Sequence, residues 1–324
     1  MAAGSIERLD PALDRIVPLD AKIEKLADGF KFTEGPVWTH SGFLLFADIP
    51  NNRIMQWTPP GALSVFMQPS GYTGAEPFKG KEPGSNGQTL DLQGRLTVAG
   101  HARRNVWRLE SLDPGAPITV LADRYEGKRL NSPNDLVYKS DGSVYFSDPP
   151  YGLETQNDSD PKKELPFNGV FRIRDAARHP AGAPPDPSKL DLLVRDLTRP
   201  NGLAFSPDEK YLYVAVSDHA HKVWMRYDVE PDGTLAGGQV FFDATSVAAE
   251  GSPDGVKVDR QGNIYSAGPG GVWILSPEGK HLGTVKPGEK VANLNWGDAD
   301  GRTLYITAST SLCRIRLEIS GIRP

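Results

Sequence analysis

Short apolar runs recur along the chain, each closed within a few residues by Gly, Pro, Asn or Asp. The stretch NSPNDLVYKSDGSVYFSDPPYG, residues 131–152, holds two such runs joined by Ser-Asp-Gly. That alternation predicts a β-hairpin, with Gly142 free to take the positive φ of a tight turn. A polar amide, Asn134, stands at the mouth of the first strand behind Pro133. The same unit of polar residue, strand, turn and strand begins again at Glu34, Asn86, Asn201, Asp254 and Asn293. Five of the six units carry a glycine eight residues after the first position, and the exception carries Glu209 there. Successive units are 52, 48, 67, 53 and 39 residues apart.

Third strand-like runs follow in most units (RIMQWTP, NVWRLE, GVFRIR, KVWMRYDV), and several units add a fourth. Four short antiparallel strands on a repeat of this length predict an all-β fold, a six-bladed β-propeller. No amphipathic helical run separates the strands, which removes a βα arrangement. Residues 1–324 read as a single propeller domain, with 1–30 as an N-terminal extension whose AKIEKLADGF segment supplies the outer strand of blade six. Residues 149–168 read as an insertion after the second strand of blade three, and the Pro/Ala-rich 175–189 as a solvated connection.

In a propeller the first residue of each innermost strand sits at one mouth of the central channel. Here those six are Glu34, Asn86, Asn134, Asn201, Asp254 and Asn293, and every one carries a side-chain oxygen. Any one alone is ordinary capping chemistry. Together, two carboxylates and four amides suit a hard cation of the Ca²⁺ type, and the absence of thiolate and imidazole makes zinc or copper a poor match. The loops after the second strands overhang the same mouth and carry Asp48, His101, Asp148, Tyr151, Asp218 and His219. Of these, His101 is a candidate to meet substrate, the insertion bearing Tyr151 is a candidate lid, and His219 with His221 reads as solvated loop.

Composition narrows the classes. Gly 34 and Pro 28 in 324 residues favour turns over long helices. A net charge of −5 without a basic stripe argues against nucleic acid or an anionic membrane as partner. The single cysteine, Cys313, excludes an intrachain disulfide, and CxxC, HExxH, GxSxG, the P-loop and GxGxxG are absent. The N-terminus lacks a signal-peptide pattern, which points to the cytoplasm, with the periplasm open if a leader was removed.

The units EGPVW (34–38), SNGQTLDLQGRL (85–96), SPNDLV (132–137), RPNGLAFSPDEKYLYV (199–214), GSPDGVKVD (251–259) and WGDADGRTLYIT (296–307) resemble the SMP-30/gluconolactonase family. The resemblance implies one catalytic divalent metal held by one Glu, two Asn and one Asp. The matching positions are Glu34, Asn134, Asn201 and Asp254, while Asn86 falls where the family faces substrate. Calcium is the first expectation, with zinc, manganese, magnesium or iron open. Ser132 stands where sugar lactonases of the regucalcin type carry Arg, so that branch's hydroxyl contacts do not carry over. The expected activity is hydrolysis of an aldonolactone by metal-activated water. Asp254 is the expected base, and Asn86, His101 and Tyr151 the expected substrate contacts. A broader ester or organophosphate hydrolase and a non-enzymatic calcium- or ligand-binding propeller are the alternatives. The partner is a small-molecule lactone, and the chain is expected to be a monomer or weak homodimer.

Overall fold

The computed structural model describes residues 4–322. Its strands form six four-stranded antiparallel blades in a β-propeller, one of them extended by a fifth strand, and a small separate hairpin of Arg124–Tyr125 and Lys128–Arg129. From innermost to outer strand, blade one is Thr33–Trp38, Leu44–Asp48, Arg53–Thr58 and Ala62–Met67. Blade two is Gln88–Leu90, Leu96–Gly100, Asn105–Leu109 and Ile118–Ala122. Blade three is Leu136–Tyr138, Val144–Asp148, Asn168–Ile173 and Leu190–Leu197, and blade four Pro200–Phe205, Tyr211–Asp218, His221–Val229 and Leu235–Asp243. Blade five is Val256–Val258, Ile264–Gly268, Gly271–Leu275 and His281–Lys286. The described helical segments are short 3₁₀ turns, the longest Pro11–Arg15.

Blade six takes three strands from the C-terminal end of the chain, Val291–Gly297, Thr303–Ala308 and Ser311–Arg316, and its outer strand, Ile23–Ala27, from the N-terminal end. That closure is the expected one. Beyond it, Ser5–Arg8 adds a fifth strand to blade five, against His281–Lys286, which the sequence reading does not anticipate. Asp10 caps the Pro11–Arg15 turn by accepting from Ala12 N at 2.8 Å, and Leu13, Ile16 and Val17 are buried between blades five and six.

Packing follows the repeat. Third strands share a β-branched-then-aromatic pair: Val106-Trp107, Val170-Phe171, Val223-Trp224 and Val272-Trp273. All eight side chains are buried, and all but Val223 belong to apolar clusters that join neighbouring blades. The hairpin glycines have the expected positive φ, for example 89° at Gly142, and Glu209 adopts 55° in the same turn of blade four.

Candidate active site

The innermost strands converge where their first residues meet, and glycines allow the approach. A Cβ on Gly202 would lie 2.3 Å from the Asp254 carbonyl oxygen, and one on Gly255 2.1 Å from Asn293 Oδ1. Each of these glycines follows a ring residue, so the next blade's ring residue packs directly against it.

The resulting cavity, of about 150 Å³, is lined by Glu34, Asn86, Asn134, Asn201 and Asp254, five of the six expected ring residues. Asn293 does not line it. Its Nδ2 donates to Glu34 Oε2 at 2.9 Å and to Asp135 Oδ2 at 3.2 Å, so it sits behind Glu34 and steers that carboxylate. Asp135, buried, and Lys257, 3.8 Å away, form a further polar layer in the channel.

Oxygen atoms at this mouth lack partners. Oδ1 of Asn86, Asn201 and Asp254 is buried with no hydrogen bond. Glu34 Oε2 accepts from Gly35 N at 2.7 Å as well as from Asn293. Tyr151 Oη and Ser217 Oγ lie 2.8 Å apart, and Asn201 Nδ2 donates to the same Oγ at 3.3 Å. Buried acceptors left unpaired cost on the order of 1–3 kcal/mol each, more when charged. The electrostatics agree: burial and the Asp135 carboxylate push Glu34 up to about 7. Burial and the Glu34 carboxylate hold Asp254 well above the ordinary carboxylate range. Two carboxylates whose ionisation is suppressed by burial and by neighbouring carboxylates, beside unpaired amide oxygens, fit a hard divalent cation. The fit depends on counting the amides, since among the described residues no three His, Cys, Asp or Glu side chains group as a metal cluster.

Other expected residues divide. Tyr151 lines the cavity, which places part of the blade-three insertion over the mouth. His101 does not line it. The ring is fully buried, 2.7 Å from Glu82 Oε2, and Glu82 is the residue at the wall. His219, read from sequence as solvated loop, lines the rim, with Nδ1 3.1 Å from Ser252 Oγ. Asp48 and Asp148 are buried anchors, not loop groups. Asp148 accepts from the backbone N of Asn131 and Ser132 at 2.7 and 2.8 Å, and Asp48 from Lys31 N at 3.1 Å, so each ties down the segment entering its innermost strand. Burial pushes Asp148 up to about 7. Glu82, Lys290, Ser252, Ser217 and Phe32 also line the cavity and were not expected. They lie outside the repeated unit or at unmarked places in it, so periodicity carries no signal for them. A larger cavity of about 370 Å³, lined by Trp38, His40, Arg260 and Trp296, lies at the opposite, hairpin end of the innermost strands and has no carboxylate.

The pattern of the SMP-30/gluconolactonase/LRE-like region matches residues 32–310. The chain belongs to that family. Over 98% of its length it is 39% identical to a gluconolactonase of Zymomonas mobilis, covering 87% of that protein. Its structure superposes with a TM-score of 0.80 on a gluconolactonase from Xanthomonas campestris, at 30% identity over 98% of this chain and 97% of that one. A calcium-binding regucalcin of Agrobacterium tumefaciens shares the fold, with a TM-score of 0.68 at 18% identity over 93% and 95% of the two chains.

Proposed function

We propose that the protein is a metal-dependent lactonase that opens a sugar lactone, the cyclic ester of an aldonic acid such as gluconic acid. What carries the reading is the mouth cavity, where two carboxylates converge with amide oxygens that have no protein partner. The gluconolactonase relatives supply the substrate class. The cavity suits a single sugar ring, and its wall of Asn86, Ser217, Tyr151, Lys290 and Glu82 offers hydrogen bonds to hydroxyl groups. Phe32 and the Tyr151 ring are its aromatic surface, too little to favour aryl esters or organophosphates.

Glu34, Asn134, Asn201 and Asp254 would hold the cation, with Asn293 orienting Glu34. The bound cation would supply Lewis-acid stabilisation of the charge that builds on the carbonyl oxygen. Asp254 orients the attacking water and takes its proton. Asn86 and Tyr151 fix the ring hydroxyls, and Ser217 holds both Tyr151 and Asn201 in place. A covalent route lacks its third member: Ser252 meets His219, but among the described residues no carboxylate bonds the other ring nitrogen.

Acid release in a pH-stat, with glucono-1,5-lactone beside an aryl ester and an aryl phosphotriester, tests the reading. Turnover of the lactone well above the other two is expected. Preference for the aryl substrates overturns the substrate class. Asp254→Ala should lower kcat by at least about 100-fold with the fold intact. Unchanged turnover in that variant removes Asp254 from the chemistry.

A further inference from the structure

Glu82 lines the mouth cavity but belongs to no blade, coming from the loop between blades one and two. Its Oε2 lies 2.7 Å from His101 Nε2, and the other ring nitrogen, Nδ1, lies 3.2 Å from the Pro133 carbonyl oxygen. Gln156, in the blade-three insertion, donates through Nε2 to Glu82 Oε1 at 3.0 Å and to the Tyr151 carbonyl at 3.1 Å. The carboxylate is thus clamped on both oxygens while its side chain stays 19% exposed to the cavity.

These contacts place protons. A carbonyl oxygen only accepts, so His101 Nδ1 carries hydrogen. In a neutral ring Nε2 then presents a lone pair, which a carboxylate cannot face at 2.7 Å. Where both contacts are made as hydrogen bonds, a proton is shared between His101 Nε2 and Glu82 Oε2, and Glu82 is the member of the pair that reaches the cavity. The other proton donors at the wall are the hydroxyls of Tyr151, Ser217 and Ser252 and the Lys290 ammonium; Tyr151 is engaged with Ser217 Oγ, and Ser252 Oγ with His219 Nδ1.

We propose that Glu82, positioned by His101, is the general acid that protonates the ring oxygen as the lactone opens. The proposal rests on the lactonase reading above. Water adds to the carbonyl carbon and gives one proton to Asp254. The bond from that carbon to the ring oxygen then breaks, its electron pair goes to oxygen, and oxygen takes the proton shared by Glu82 and His101. The products are a hydroxyl and a carboxylic acid on one open chain. Asp254 returns its proton to solvent and the Glu82–His101 pair regains one, so the sum is lactone plus water to hydroxy acid. An aliphatic alkoxide is a strong base and leaves slowly unprotonated, so this step needs an acid.

The test compares wild type, Glu82→Gln, His101→Asn and the double variant on glucono-1,5-lactone, with divalent-cation affinity by calorimetry. Glu82→Gln should lose about 100-fold in kcat with KM and cation affinity within about threefold. The double variant should fall no more than about threefold further, because His101 acts through Glu82. Histidine ¹⁵N NMR should show a proton shared at His101 Nε2 in wild type and a plain Nδ1–H ring in Glu82→Gln. A Glu82→Gln kcat near wild type, a matching loss of cation affinity, multiplied losses in the double variant, or an unchanged His101 spectrum overturns the proposal. A wild-type protein that opens no sugar lactone overturns the reading beneath it, and the proposal with it.

Discussion

Glu209 takes a φ of 55° at the hairpin corner where the other blades have glycine. A side chain held in that conformation costs roughly 1 kcal/mol. The carboxylate offsets this by accepting from Ser140 N and Oγ at 2.7 and 2.6 Å and from Lys139 Nζ at 3.0 Å, all in the neighbouring blade. Glu209→Ala and Glu209→Gly both remove those bonds, but only alanine keeps the strain. Urea unfolding should find the alanine variant less stable by about 1 kcal/mol. Equal stabilities would show that the turn is unstrained. At the ring, Asn293 is the residue whose place was half legible: its oxygen side chain and blade position were plain, but its place behind Glu34 depends on how closely the innermost strands approach. Asn293→Ala should weaken divalent-cation binding about 10–100-fold by calorimetry, as losing the support of a ligand does. Affinity equal to wild type would remove Asn293 from the site. Glu82 was not legible at all, because a lone Glu in a Gly/Pro-rich loop has no sequence signal until His101 and the cavity are seen beside it.

The blades were legible as elements because polar start, strand, turn and strand recur with the same offset to the turn. Ile23–Ala27 could be placed because blade six lacks a fourth run of its own, whereas Ser5–Arg8 has an apolar residue only at Ile6 and reads as a tail. The structure gives these two strands different weight. Ser5–Arg8 lies at the outer edge of blade five, beyond a complete set of four. The segment that follows buries Leu13, Ile16, Val17 and Ile23. At about 1.5–3 kcal/mol per buried aliphatic side chain, those four match the whole net stability of an ordinary domain. Removal of residues 1–9 should lower the melting temperature by several degrees and leave a cooperative transition. Removal through residue 28 should abolish that transition in circular dichroism. A cooperative melt after the longer deletion would show that blade six closes without its N-terminal strand.

At the scale of the whole molecule, buried carboxylates join stability to pH and to metal. Glu34 and Asp148 are both pushed up to about 7 in the fold by burial, against ordinary values of 4.5 and 3.8. The folded metal-free protein therefore binds more protons than the unfolded chain between those limits. The stability these groups contribute is fully present below about pH 4 and is lost as pH rises through about 7, on the order of 3 kcal/mol for each. Thermal melts in EDTA should fall between pH 5 and 8. A divalent cation would bind the ionised form of Glu34, so its addition should recover part of the loss at the alkaline end and little at the acid end. A pH-independent metal-free midpoint would contradict this electrostatic account. Stripping the protein with EDTA decides whether the ring of oxygens binds a cation to open a lactone. Divalent cation is then titrated back while pH-stat hydrolysis of glucono-1,5-lactone and calorimetric binding are followed together. Turnover should be negligible in the stripped protein, return in step with one bound cation per chain, and not return in Asp254→Ala. Full turnover in the stripped protein would show that no cation is needed.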